Sequence, residues 1–446
     1  MATDPPPASI ARPPTVSDKN KLPKGPKSQA ARPSGASYLG LFVGVAVVLA
    51  GCVYQMHVKP VLTMLGTNQT IGNLNNQDCH LIKELTGCED QWIDRASGLS
   101  YLACTPTSPL KHDFYPPVFN LNTSRIPLPW TRDTLGSYIA LFDTNTEKIT
   151  KLRLEGLPED SLGLQALHSL DLVVDRSVEP ARATVFIVNH KPPAGSVAGD
   201  VTAAARYGAD SVVEIFETEF GSDVLTWKRT FAHPNIKTPN NIVAIDAEHF
   251  YVTNDHADKT SFARRHLSSA LLPTSDIQFC QVDRDNCYTA AEGIQYPNGI
   301  TKGPGSSFYV ASSRKGEIYS YIADENNRLI KRDTINIGKV PDNLHVTEEG
   351  DIYAAIITKV KNFHQAAHSE HHRRTVDQPV QVIRVANQSA LLQYTAGVLY
   401  HTDTVFLDPG KESGLQTATN AQYYKEKLYL TSCFADALAI CNVGPL

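Results

Sequence analysis

Short stretches alternating apolar and polar residues, bounded by Gly, Pro, Asn and Asp, recur from about residue 88 to the end of the chain, and each predicts a β-strand. Several follow one plan, in which Asp, Glu, Asn or His stands just before a short apolar run rich in Tyr or Val. PNNIVAIDAEHFYVTNDH from Pro239 shows it most clearly, with PNGITKGPGSSFYVASS from Pro297 and PDNLHVTEEGDIYAAII from Pro341 close behind. CEDQWIDRASGLSYLAC from Cys88 and ALHSLDLVVDRSVEPARATVFIVNH from Ala166 fit as well, and TATNAQYYKEKLYLTSC from Thr417 fits more faintly. With Glu89, His168, Asn241, Asn298, Asn343 and Asn420 as markers, the steps are 79, 73, 57, 45 and 77 residues. Propeller blades usually need about 40–50 residues, so loops would carry insertions. The pattern predicts an all-β chain: a six-bladed β-propeller of four-stranded blades.

In such a fold the innermost strand of every blade starts at the same mouth of a central channel, so residues at those starts converge. A ring of Glu89, Asn240, Asn298, Asp342 and Asn343 would present only oxygen ligands, two carboxylates and three amides, which suits a hard cation such as Ca²⁺ better than zinc. Asn and Asp also make turns before strands for purely structural reasons; repetition at one strand position is what favours a ring.

The N-terminal part breaks the pattern. Residues 1–37 are rich in Pro, Ala, Ser and Lys and nearly devoid of large apolar side chains, the composition of a disordered tail. Residues 38–54, YLGLFVGVAVVLAGCVY, carry no charge over a length near the lower limit for crossing a bilayer as one helix. Arg12, Lys19, Lys21, Lys24, Lys27 and Arg32 precede this segment, whereas only His57 and Lys59 follow it closely. That asymmetry predicts a single-pass membrane anchor with a cytosolic N-terminus, a stem over 55–77 and a lumenal or extracellular body over 78–446. A cleaved signal peptide would need a shorter leader, and the same long leader argues against reading Leu49-Ala50-Gly51-Cys52 as a lipoprotein processing site. Asn68, Asn122 and Asn387 head glycosylation sequons, all beyond the segment, as a lumenal body requires.

Eight cysteines lie at 52, 79, 88, 104, 280, 287, 433 and 441 with no CxxC pair, so at least one of the seven in the body is unpaired if disulfides form; spacing alone leaves the connectivity open. The net charge of −5, with no basic patch beyond the tail, gives no indication of nucleic-acid binding. Oligomeric state is not legible.

At GCEDQWI, VNH, NNIVAIDAEHFYVTNDH, YPNGI and PDN the chain resembles the serum paraoxonase/arylesterase family of calcium-dependent lactonases, from about Asp78 to Cys441. The resemblance implies a six-bladed propeller with two calcium ions in its tunnel and a disulfide joining first and last strands, here Cys79 and Cys441. It implies a catalytic calcium on Glu89, Asn240, Asn298, Asp342 and Asn343, and a structural calcium on Asp90, Asn241 and the backbone carbonyl of Leu170. The chain departs from the family pattern twice. Asn241 stands where the family has Asp, which should weaken the second ion because calcium affinity follows ligand charge, and Ser169 stands where Gly usually follows the first functional histidine. The two functional histidines fall on His168 and His190, whose ordinary pKa near 6.5 suits proton transfer. The implied activity is metal-assisted hydrolysis of small lactones and aryl esters, with His168 deprotonating water and His190 relaying the proton; Asp255-His256 could orient that base or simply join two blades.

Two stretches lack an obvious counterpart, HKPPAGSVAGDVTAAARYGAD after His190 and VKNFHQAAHSEHHRRTVDQP over 360–379. Both should lie near the tunnel mouth. The histidines of the second, His364, His368, His371 and His372, read as part of a solvated loop. Two other readings stay open: a calcium-stabilised propeller that binds a partner without catalysis, or a related gluconolactonase- or strictosidine-synthase-like propeller.

Overall fold

The computed structural model describes residues 35–67, 69–117, 130–193, 195, 200, 202–260, 272–387, 400–410 and 414–446. Asn68, Asn122 and nearly all of the tail expected over 1–37 lie outside the described residues. Asn387 ends a strand, but its side chain also lies outside them.

Among the described residues the strands form six sheets, five of four strands and one of five. Blade 1 comprises Cys88–Ile93, Leu99–Cys104, Tyr138–Asp143 and Ile149–Lys151. Blade 2 comprises Ala166–Asp175, Arg182–Lys191, Asp210–Glu219 and Val224–Phe231, with Arg153–Glu155 added in parallel at its edge. Blades 3, 4 and 5 start at Pro239, Pro297 and Pro341, the positions expected from the repeat. Blade 6 takes Asn420–Tyr424, Lys427–Thr431 and Leu438–Asn442 from the end of the chain, and its outer strand, Cys79–Ile82, from the beginning. Cys79 pairs with Cys441 in that sheet and is disulfide-bonded to it. Cys88–Cys104 and Cys280–Cys287 also bridge, each between adjacent strands of one blade, while Cys433 is free and buried.

Burial does not alternate along the inner and middle strands. The outer strand Leu329–Asn336 is mostly exposed, whereas the middle strand Ile352–Ile357 is buried along its whole length. The reason is that each sheet is covered by a neighbouring blade on both faces, so middle strands have no wet side. Apolar clusters fill every seam: Phe186, Val213 and Ile215 of blade 2 meet Ile242, Phe250 and Val252 of blade 3, and Leu102 and Phe142 of blade 1 meet Tyr429 and Ile440 of blade 6. The last seam closes the ring.

The N-terminal unit, Met1–Val58, contains the helix Gly35–Val53. The helical stretch Phe42–Met64 is long and apolar enough to cross a membrane; it starts four residues after and ends ten residues beyond the 38–54 expected. In the second unit, Lys59–Leu446, the segment after that stretch is held to the propeller: Val360 N donates to Leu65 O at 3.2 Å, and Leu74 and Leu407 pair in a β-bridge.

Candidate active site

A break in the strand ladder creates the site. In five of the six blades the inner strand shifts register just after its start: between Cys88 and Asp90, Leu167 and Leu170, Pro239 and Ile242, Pro297 and Ile300, and Pro341 and Leu344. The unpaired residues in these breaks are Glu89, His168-Ser169, Asn240-Asn241, Asn298-Gly299 and Asp342-Asn343. Irregularities of this kind release backbone from the ladder and re-aim side chains. Here they turn successive residues toward the axis at two levels. Gly299 is required by this crowding: a Cβ there would lie 2.6 Å from Asn343 Cα and 2.8 Å from Asp342 O.

The first level opens into a cavity of about 410 Å³ lined by Glu89, His168, Asn240, Asn298 and Asp342 at its floor and by Tyr115, Tyr296, Val340, Ile357 and Phe363 on its walls. Three floor oxygens, Glu89 Oε2, Asn240 Oδ1 and Asn298 Oδ1, are buried and have no hydrogen-bond partner. Unpaired buried acceptors carry a desolvation cost of about 1–3 kcal/mol each, and several lining one cavity suit a hard cation. Asn343 Nδ2 donates to Glu89 Oε1 at 3.0 Å, which fixes how Glu89 presents its other oxygen. The Asn343 amide oxygen faces the second level instead. Burial, with the Asp90 and Asp342 carboxylates adding to it, pushes the Glu89 carboxyl well above its usual range, and burial likewise raises Asp342. Two buried acids at close range need a countercharge to ionise together. Among the described residues no three His, Cys, Asp or Glu side chains cluster as a metal-binding set; the floor draws its oxygens largely from amides.

His168 stands at the edge of this floor, its Nε2 4.0 Å from Glu89 Oε1. Its Nδ1 lies 2.9 Å from His190 Nε2, and His190 Nδ1 lies 2.8 Å from Ser211 Oγ. Burial lowers His168 to about 4 and, with His168 adjacent, pulls His190 well below the ordinary imidazole value. Both rings are therefore neutral near pH 7. In the tautomer that leaves His168 Nε2 as an acceptor, His168 Nδ1–H donates to His190 Nε2 and His190 Nδ1–H donates to Ser211; the reverse direction, with Ser211 donating, uses the same contacts. Ser211 has no signal in the sequence, because it reaches the dyad only through pairing opposite His190. Tyr115 covers the dyad, its ring 5.3 Å from that of His168 and 6.1 Å from that of His190. It follows the short helix Pro109–Phe114, capped by Ser108 and tied down by buried Lys111, which donates to Thr105 O, Gly87 O and Cys433 O.

Asp255 accepts from His256 Nδ1 at 2.8 Å and from Asn240 Nδ2 at 3.5 Å. Although burial opposes it, His256 holds Asp255 below its usual value. The pair thus braces a floor residue, Asn240.

The stretch expected as a loop over 360–379 instead forms two helices, Val360–His368 and Glu370–Thr375. The first contributes Val360, Phe363, His364 and His368 to the cavity wall. The second is N-capped by Ser369 and held by buried Arg373, which bridges Glu370 at 2.7 Å and Asp436 at 2.8 Å. The first helix packs an apolar stripe, Val360, Phe363, Ala366 and Ala367, which a solvated loop would leave exposed. The second is ordered by this ion-pair hub, to which His112 also contributes at 3.0 Å.

The second level is different. Asp90 Oδ1 accepts from Gln91 N at 2.9 Å and Asn420 Nδ2 at 2.5 Å, and Oδ2 accepts from Ser169 Oγ at 2.6 Å, Asn241 Nδ2 at 3.2 Å and Leu170 N at 3.3 Å. Beyond it a separate cavity of about 460 Å³ opens, lined by Asp90, Leu170, Asn241 and Asn420.

A closed six-bladed propeller with an oxygen floor and a neutral histidine pair at one mouth defines the class, and comparison with known proteins supplies the family. The pattern of the arylesterase family matches residues 144–442, and this chain belongs to that family. Glu89 and Asp90 lie upstream of the matched residues. The chain is 25% identical over 317 residues to human serum paraoxonase/arylesterase 1, covering 69% of this chain and 78% of that protein. It is 28% identical over 321 residues to mouse serum paraoxonase/lactonase 3, covering 70% and 78%. Among solved structures a luciferin-regenerating enzyme aligns at 11% identity with a TM-score of 0.43, over 83% of this chain and 94% of that one.

Proposed function

We propose that this protein is a calcium-dependent hydrolase of small lactones and aryl esters, with the ion held by Glu89, Asn240, Asn298 and Asp342; Asn343, expected as a fifth ligand, instead orients Glu89 through its amide NH₂ because its oxygen is taken by Asn241. The observation that carries this reading is one cavity floor that holds three unpartnered buried oxygens, on Glu89, Asn240 and Asn298, with burial disfavouring the anions of Glu89 and the adjoining Asp342. Family membership and the names of the relatives, arylesterase and lactonase, support the substrate class. When bound, the ion would polarise the ester carbonyl and stabilise the developing oxyanion.

The remaining chemistry belongs to the chain. His168 Nε2 takes the proton of the attacking water. As it does so, the Nδ1 proton can pass to His190 Nε2, and the His190 Nδ1 proton toward Ser211, spreading the charge along a buried relay. Tyr115 and the helix Val360–His368 shield this event from solvent, and the mainly apolar wall of Tyr296, Val340, Ile357 and Phe363 receives the organic part of the substrate. The helical stretch Phe42–Met64 serves as a single-pass anchor, with the basic tail cytosolic. The three disulfides fit a propeller in an oxidising lumenal or extracellular space. Asn68, Asn122 and Asn387 would then be glycosylation acceptors.

The test is a panel of lactones and phenyl acetate hydrolysed by the full-length chain in detergent, with calcium and after chelation. Activity that vanishes on chelation, together with a lower melting temperature, is expected. Full turnover in EGTA would remove the metal from the mechanism, and no turnover of any substrate would favour a binding propeller.

A further inference from the structure

We infer that the second level of the tunnel is not a calcium site in this chain: the side-chain amide of Asn241 and the hydroxyl of Ser169 occupy, as hydrogen-bond donors, the role a second cation would play. The two positions at which the sequence departs from the family pattern meet on one atom, Asp90 Oδ2, at 3.2 Å and 2.6 Å.

The orientation of Asn241 decides the matter, because an amide can present either an oxygen or an NH₂ to its surroundings. The backbone N–H of Ile300, which can only donate, lies 3.1 Å from Asn241 Oδ1 and fixes the oxygen on that side. The NH₂ must then point to the axis. There it meets three acceptors: Asp90 Oδ2 at 3.2 Å, Ser169 Oγ at 3.0 Å and Asn343 Oδ1 at 3.0 Å. Ser169 is placed independently, since its oxygen accepts from Ile242 N at 3.3 Å while its proton goes to Asp90. With Gln91 N, Leu170 N and Asn420 Nδ2, Asp90 receives five donors, and neither of its oxygens is left over. A cation entering here would meet the N–H groups of Asn241 and Asn420 and would have to displace them from the acceptors they already occupy.

The contrast with aspartate is electrostatic. Asp at 241 could still accept from Ile300 N, but its second oxygen would face Asp90 Oδ2 and Asn343 Oδ1 at about the separations now occupied by N–H···O bonds. Acceptor against acceptor needs an ion between them. Asn241 removes that need, so the axis is closed by the chain's own groups whether or not calcium is present.

The experiment counts ions. Full-length protein in detergent is stripped with chelator, returned to calcium, and the bound calcium per chain measured by titration calorimetry and atomic emission, alongside melting temperature. If the first level binds as proposed above, wild type holds one ion; Asn241→Asp, or Asn241→Asp combined with Ser169→Gly, gains one more and shows a larger calcium-dependent rise in melting temperature. Both variants are refolded in calcium, so that an apo form too unstable to survive still gives a count. Two ions in the wild type overturn the inference, and so does failure of both variants to gain an ion. A wild type with none instead refutes the calcium reading of the first level, and the gain or lack of an ion in the variants still judges the second.

Discussion

The two levels of the tunnel are built from consecutive residues of the same strand breaks, yet they solve opposite problems. Glu89 and Asp342 look into a cavity with oxygens unpaired around them; Asp90, one residue from Glu89, is surrounded by donors. Burial alone therefore does not predict where an ion belongs. What matters is whether neighbouring groups have already supplied the positive ends of dipoles. The first level leaves oxygens unpaired beside a cavity; at the second, Asp90 is met by the chain's own donors.

The most damaging break to this contrast should be Glu89→Gln. It is expected to cost hydrolysis about 100- to 1,000-fold, the scale for losing electrostatic stabilisation of an oxyanion, and to abolish calcium binding while the protein still melts cooperatively. Retained turnover would mean that Glu89 holds nothing essential. His168→Gln should lower kcat about tenfold or more with calcium binding unchanged, as expected of a proton-transfer group; an unaltered kcat would free the histidine pair of any catalytic part. Asn420→Ala acts on the other side, leaving an oxygen of buried Asp90 without its shortest donor. A loss of about 1–3 kcal/mol in stability is expected, with activity per folded molecule unchanged.

The smallest effect is on pH. Burial raises Glu89 and Asp342, so protons compete with the cation there, and calcium affinity should weaken as pH falls from mildly alkaline to mildly acidic. Burial lowers His168, so the acid limb of kcat should lie below the ordinary imidazole value near 6.5. Calorimetric affinities and rate profiles over that range check both signs.

Much of this was legible beforehand. Six blades and their inner-strand starts follow from the repeat, since a polar residue before a Tyr- or Val-rich run recurs wherever a strand enters the channel. The residues Glu89, Asn240, Asn298 and Asp342 follow from the same rule. Three things were hidden. A register shift leaves no mark in composition, so the sorting of Glu89 from Asp90 into two levels could be reached only through a family resemblance. Ser211 meets His190 by cross-strand pairing, a long-range contact with no local pattern. The second of the helices over 360–375 is ordered by Arg373, Glu370 and Asp436, a network assembled from segments far apart in the sequence.

The sixth blade has a consequence in time. Its outer strand, Cys79–Ile82, is among the first parts of the propeller to be synthesised, and its partner, Leu438–Asn442, is the last, 362 residues later by the Cys79–Cys441 pair. The early strand has nowhere to dock until Leu438–Asn442 has been made, and pairing at such separation is intrinsically late. Glu89 and Asp90, next to the seam that blade 6 completes, are thus without Asn420 until then. The axis is complete only once blade 6, drawn from both ends of the propeller, has closed the ring.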